Sequence, residues 1–233
     1  MYNIGLYYMH GTGVAKDERE KTEWWRRAAE LGQNYAQFNL AASYKNGEGV
    51  EKDMEAAVKW FRRAAEQGDV KAQFVLGACY GKGDGIEKDA RAAVKWYRRA
   101  AVAGDTDAQN DLGRCYWVGK GVEKDAQAAF GWFGRAALAG NAKAQNSLGI
   151  CYKRGLGVER DAQAAVYWFR CAAATGNAEA QYNLGDCYEC GSGVEADARA
   201  VTGWYRRAAG AADNSDAAVE ARAALTRLGA APP

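Results

Sequence analysis

The sequence predicts an all-α protein, an α-solenoid of tandem antiparallel helix pairs, and three observations carry that prediction. Tyr8, Tyr44, Tyr80, Tyr116, Tyr152 and Tyr188 fall 36 residues apart without slippage. Trp24, Trp60, Trp96, Trp132, Trp168 and Trp204 keep the same step. So do the glycines from Gly11 to Gly191 and from Gly13 to Gly193, and the aspartates from Asp17 to Asp197. Self-similarity at one such period is the signature of a stacked repeat.

Each unit reads as two helices, and residues 34 to 69 show why. In "NYAQFNLAASYKN" the small and apolar residues Ala36, Leu40, Ala41 and Tyr44 return at helical spacing. That first helix stops at Gly47, where glycine can take the left-handed cap. "GEGVEKD" then turns the chain with Val50 tucked inward, and Asp53 is placed to cap the second helix by accepting backbone N–H bonds. The second helix, "MEAAVKWFRRAAEQ", is expected to bury Ala57, Trp60, Phe61 and Ala64 and to end at Gly68. Ala41, Gly77, Gly113, Gly149 and Gly185 leave room for the paired helices to approach closely. Pairs stacked in this way bury their apolar faces only against their neighbours.

The two ends depart from the pattern. Met1 falls at the fourth position of a unit, so the first helix is expected to be short and an upstream region to be missing. Residues 214 to 229, "NSDAAVEARAALTRLG", lack the Leu-Gly-x-x-Tyr core and read as a helix covering the last repeat. The expected organisation is therefore six repeats over residues 1–213 and a capping helix with a tail over 214–233.

Composition agrees with a folded chain and removes several function classes. The 233 residues carry 31 Lys+Arg against 29 Asp+Glu, with signs interspersed, which gives little reason to expect a nucleic-acid or anionic-membrane partner. No apolar run reaches the length of a membrane span, and the start "MYNIGLYYMHGTG" lacks a secretory layout. A soluble, cytoplasmic protein is the default expectation, with the periplasm or secretion possible for a chain whose leader has been removed.

The pattern A-x-A-Q-x-x-L-G-x-x-Y-x-x-G-x-G-V-x-x-D, followed by A-x-x-W-[FY]-x-x-A-A-x-x-G-[ND], resembles the Sel1-like repeat, a relative of the tetratricopeptide repeat. Residues 106 to 141, "TDAQNDLGRCYWVGKGVEKDAQAAFGWFGRAALAGN", show it in full. The resemblance runs from residue 1 to about 213. It implies a right-handed superhelix and a binding scaffold or adaptor with no single kind of partner.

No residue set in the chain supports catalysis. Cys79, Cys115, Cys151 and Cys187 occupy one repeat position, which reads as a small packing group. Some relatives resembling this family pair two cysteines within most repeats; here that framework is absent, which fits a reducing compartment. Cys187 and Cys190 match C-x-x-C, but a zinc site would need a second pair. "GKGDG" and "VGKGV" look like phosphate loops, yet no G-x-x-x-x-G-K-[ST] exists and turn geometry explains them. His10 is the one histidine and has no triad neighbours. Neither a metal nor another cofactor is expected.

What varies while the scaffold repeats is the candidate site. By analogy with tetratricopeptide stacks, four positions of each first helix point into a concave groove. The candidate binding residues are Phe38, Phe74, Asn110, Arg114, Trp117, Ile150, Lys153, Arg154 and Tyr182. Aromatic anchoring at Phe38, Phe74 and Trp117, with charge steering by Arg114, Lys153 and Arg154, would hold a peptide or partner protein. Trp117 has a competing reading, as a residue packed on a neighbouring loop. The arginine pairs, such as Arg62-Arg63, read as a solvated convex face near Glu and Asp. Two other functions compete with this reading. RNA binding would need similar polar readers in each repeat, which Phe, Phe, Asn, Asn, Tyr is not. A β-lactam hydrolase resembling cysteine-rich relatives lacks a nucleophile constellation here.

Overall fold

The computed structural model describes residues 1–211 and 215–230. The end of the tail, 231–233, and the start of the expected capping segment at Asn214 lie outside the described residues. The described residues form helices α1 (Tyr2–His10), α2 (Glu18–Glu30), α3 (Asn34–Asn46), α4 (Met54–Glu66), α5 (Val70–Lys82), α6 (Ala90–Val102), α7 (Thr106–Val118), α8 (Ala126–Leu138), α9 (Ala142–Arg154), α10 (Ala162–Ala174), α11 (Ala178–Cys190), α12 (Ala198–Ala209) and α13 (Asp216–Arg227). The class is all-α, of the solenoid kind. Even-numbered helices up to α12 are the second helices of their repeats.

The chain divides into two compact units. One comprises Met1–Cys115 with Gly119–Glu123; the other comprises Tyr116–Val118 with the described residues from Lys124 onward. Within the first, each helix from α1 to α6 packs on the next, and within the second the same holds from α8 to α13. Helix α13 also reaches α11, and it sets Ala221, Ala224 and Leu225 against Val201, Tyr205 and Ala208.

Local signals account for the helix boundaries. Gly47 closes α3 at φ 77°, and the Asp53 carboxylate accepts from the Ala56 N–H at 2.9 Å to start α4. Helix α4 ends at Glu66, slightly before Gly68, because Gly68 at φ 93° takes the left-handed position and its N–H bonds back to Ala65. Close helix approach depends on small residues facing a buried ring. A Cβ on Gly149 would lie 2.6 Å from the Phe169 ring, and one on Gly185 would lie 2.7 Å from Tyr205.

The second glycine of each turn has a different task. Gly49, Gly85, Gly157 and Gly193 sit at positive φ against the first carbonyl of the preceding second helix. A Cβ on Gly157 would be 2.0 Å from the Ala126 oxygen. The turn therefore docks onto the previous repeat through bare backbone. Buried glutamines add to this seam: Gln37, Gln73, Gln109, Gln145 and Gln181 each donate Nε2 to the carbonyl eight residues earlier, at 3.0 to 3.3 Å. Each adds a second hydrogen bond to a helix-end carbonyl that already accepts a backbone N–H, as Ala65 does from Gly68.

The tryptophan ladder departs from expectation. Phe61 is buried at 2% exposure, whereas Trp60 beside it is only partly buried. Of the six ladder tryptophans, only Trp96 is buried, at 8%. A guanidinium covers several of the rings instead: Arg63 lies 4.5 Å over Trp60, Arg99 4.6 Å over Trp96, Arg135 4.7 Å over Trp132 and Arg207 4.5 Å over Trp204. The other arginine of the pair reaches a ladder tyrosine of the next repeat, as Arg62 Nη2 does to the Tyr80 hydroxyl at 2.8 Å. Arginine pairs expected to meet Glu and Asp in solvent thus serve mainly as covers and ties for aromatic rings, Arg26 and Arg27 also pairing with Glu23.

Candidate functional site

The buried ring of each second helix has a variable first-helix residue above it. In the first unit, Phe38 meets Phe61 edge-on at 5.5 Å and Phe74 lies tilted on Tyr97 at 5.9 Å. Both outer rings are half-buried, so each presents an edge held in place from below. Arg114 is exposed and pairs with Asp111 one turn earlier on α7, at 3.7 Å. Asn110 does not belong to this surface. It is 3% exposed and donates to the Asp111 carboxylate at 3.3 Å. The helical step that carries Phe38 to the surface leaves a short amide beneath it.

In the second unit, Trp117 stands edge-on to Phe133 at 5.6 Å and is half-buried. It occupies the same helix face as Asn110, seven residues on, and supplies the ring that Asn110 lacks. Trp117 thus packs on the second helix of its own repeat while keeping part of the indole in solvent. Ile150 is half-buried against the cluster around Phe169. Tyr182 lies tilted on Tyr205 at 5.4 Å.

The charges are more committed than the sequence suggests. Lys153 Nζ holds Asp186 at 2.5 Å, so its charge is already matched. Glu189 accepts from the Tyr205 hydroxyl at 2.7 Å and pairs with Arg227 at 2.7 Å. Arg154 is exposed and has no ion pair among the described residues. Asn146, at the position of α9 equivalent to Asn110, is 2% exposed and donates to Glu179 at 3.0 Å.

The cysteine position faces inward. Cys79, Cys151 and Cys187 are buried, and burial pushes the Cys151 thiol up to about 12 and that of Cys187 to about 11. A thiol so far above its ordinary range is a poor nucleophile and a poor metal ligand at neutral pH. Cys190 is exposed while Cys187 is buried, so the C-x-x-C spacing does not present two thiols to one surface.

Comparison with known proteins agrees with this architecture. The family model described as Sel1 repeat matches residues 1–33, 34–69, 70–105, 106–141, 142–177 and 178–213. Among solved structures, the chain is similar to c5321, a protective antigen of uropathogenic Escherichia coli strains with an SLR fold, at 34% identity and a TM-score of 0.89. The match covers 97% of this chain and 49% of that one, so the chain spans about half the length of c5321. A Sel1 repeat protein of Oxalobacter formigenes is similar at 37% identity and a TM-score of 0.79, over 92% of this chain and 85% of that one. The immunity protein Pa5087 of Pseudomonas aeruginosa, 21% identical with a TM-score of 0.54 over 88% of this chain and 81% of that one, shares the fold. No curated protein gives a significant match.

Proposed function

Since the chain belongs to the Sel1-repeat family, whose helical scaffolds generally serve protein interaction without catalysis, we propose that it is a non-catalytic adaptor binding a peptide or partner protein on its first-helix face. The observation that supports this reading is the set of half-exposed rings, Phe38, Phe74, Trp117 and Tyr182, each fixed on a ring beneath it. Rings held in one orientation lose little entropy when a partner covers them, the property of interface anchors. Arg114 and Arg154 are exposed on the first helices α7 and α9, and Ile150 is half-buried on α9. Lys153 acts through its pair with Asp186, orienting that carboxylate.

RNA readout is not favoured, because Asn110 and Asn146, the two asparagines of the Phe, Phe, Asn, Asn, Tyr series, are buried. Hydrolysis of β-lactams is disfavoured by thiols that burial keeps protonated. No described helix is long and apolar enough to cross a membrane. Cys79 and Cys115, each free and the one cysteine of its repeat, suit a reducing compartment such as the cytoplasm.

Photo-crosslinking tests the reading. A reactive side chain placed at Arg114 or at Arg154 is expected to capture a partner from the cell of origin, and one at the exposed second-helix residue Leu138 is not. Capture from Leu138 alone would move the working surface to the second helices.

A further inference from the structure

The second helices carry a separate surface, and α6 is unlike the others. Its sequence, ARAAVKWYRRAAV, holds Arg91, Lys95, Arg98 and Arg99 with no carboxylate. In α4 the equivalent helix mixes Glu55 and Glu66 with its cations, and α8 keeps a single arginine. Helix α12 retains three cations but has Gly203 where Lys95 stands.

These side chains border an open groove of about 710 Å³ between α6 and the turn at Gly68. Val94 and Val102 supply its apolar part, and Val102, which replaces the glutamate ending α4, is 72% exposed. Arg91, Lys95 and Arg98 supply its charge, and no carboxylate lines it among the described residues. Arg91 and Lys95 are exposed and four residues apart, so they stand one helical turn from each other on one face.

We infer that this groove docks an acidic segment of a partner protein, its carboxylates meeting Arg91 and Lys95 and an aliphatic side chain settling on Val94 and Val102. Charge complementarity selects acid, and the exposed valine selects a segment that also brings apolar surface. A nucleic acid is the poorer match. A phosphate backbone follows a cationic track, but the positions equivalent to Arg91 and Lys95 are Glu55 and Lys59 in α4 and Gln127 and Gly131 in α8. The positive field therefore ends within one repeat. This site is distinct from the first-helix face, and either can fail without the other.

The test is fluorescence anisotropy with a labelled synthetic peptide of glutamate and leucine, run beside a glutamine–leucine peptide and a labelled oligothymidine. The acidic peptide is expected to bind most tightly, and more weakly as salt is raised. The double variant Arg91→Glu, Lys95→Glu is expected to weaken it roughly tenfold or more, while Arg154→Glu on the first-helix face leaves it unchanged. Both substituted side chains are exposed, so the urea midpoint should stay in place; if it shifts, Arg91→Gln with Lys95→Gln replaces the double variant. Equal affinity for variant and wild type, preference for oligothymidine or the neutral peptide, loss through Arg154→Glu, or no binding of the acidic peptide would each overturn the assignment.

Discussion

Trp132 and Phe133 are adjacent in sequence and differ in everything that sets their energetic weight. Phe133 is fully buried at 0% exposure, while Trp132 is half-buried with Arg135 over its ring at 4.7 Å. Removing a buried ring leaves a cavity, so Phe133→Ala should cost ~3–5 kcal/mol. Removing Trp132 strips a partly wet surface and one cation–π contact, and Trp132→Ala should cost less than ~2 kcal/mol. Urea midpoints of the two variants decide the order, and a larger loss for Trp132 would return the tryptophan ladder to the core. The sequence placed a ladder tryptophan in the core, as at Trp60, because tryptophan is the more conspicuous repeat. Burial follows the direction of the Cα–Cβ bond around the helix, and one residue of offset turns that direction by about 100°. The same offset explains Asn110: a row drawn along equivalent positions carries no information on how deep a short side chain lies beneath a long one.

At the scale of the element, the two glycines of each turn look interchangeable in the sequence and are not. Gly155 caps α9 at φ 70° with ordinary space around it, the nearest atom to an added Cβ being Arg160 Cβ at 3.6 Å. Gly157 has φ 72° and the Ala126 carbonyl 2.0 Å from the same added atom. Gly155→Ala should therefore cost the left-handed strain alone, about 1–2 kcal/mol, while Gly157→Ala adds a backbone clash and should exceed it by ~1 kcal/mol or more. Equal midpoints for the two variants would show that the turn can lift away from α8 without loss. Helix existence, the aspartate caps of the second helices and the glycine stops of the first were legible, since Asp53, Gly47 and their equivalents act on the nearest turn of their own chain segment. The docking of the turn onto the preceding repeat was not legible, because that contact joins residues about thirty apart and leaves only a glycine as its mark. The buried glutamines left a mark of the same kind, a Gln repeated in A-x-A-Q, whose carbonyl partner is visible only in three dimensions.

For the whole molecule, each repeat completes its core on a neighbour, so an end needs a cover. Helix α13 sets Ala221, Ala224 and Leu225 on Val201, Tyr205 and Ala208. Ending the chain after Ala211 should uncover that face, lower the urea midpoint by an amount worth at least ~2 kcal/mol, and raise binding of a hydrophobic dye. An unchanged midpoint would show that α12 needs no cover. The family and the class of fold follow from the sequence by itself, because a period of 36 residues reflects local helix lengths and turn chemistry repeated in order. Which side chains remain available to a partner was decided only in the tertiary structure. Phe38 and Phe74 keep an exposed edge, Lys153 is matched by Asp186, Asn110 is covered and Arg91 with Lys95 stands beside an apolar groove. Exposure and pairing depend on which atoms the neighbouring helices bring within a few ångströms, a long-range property that one-dimensional spacing does not encode.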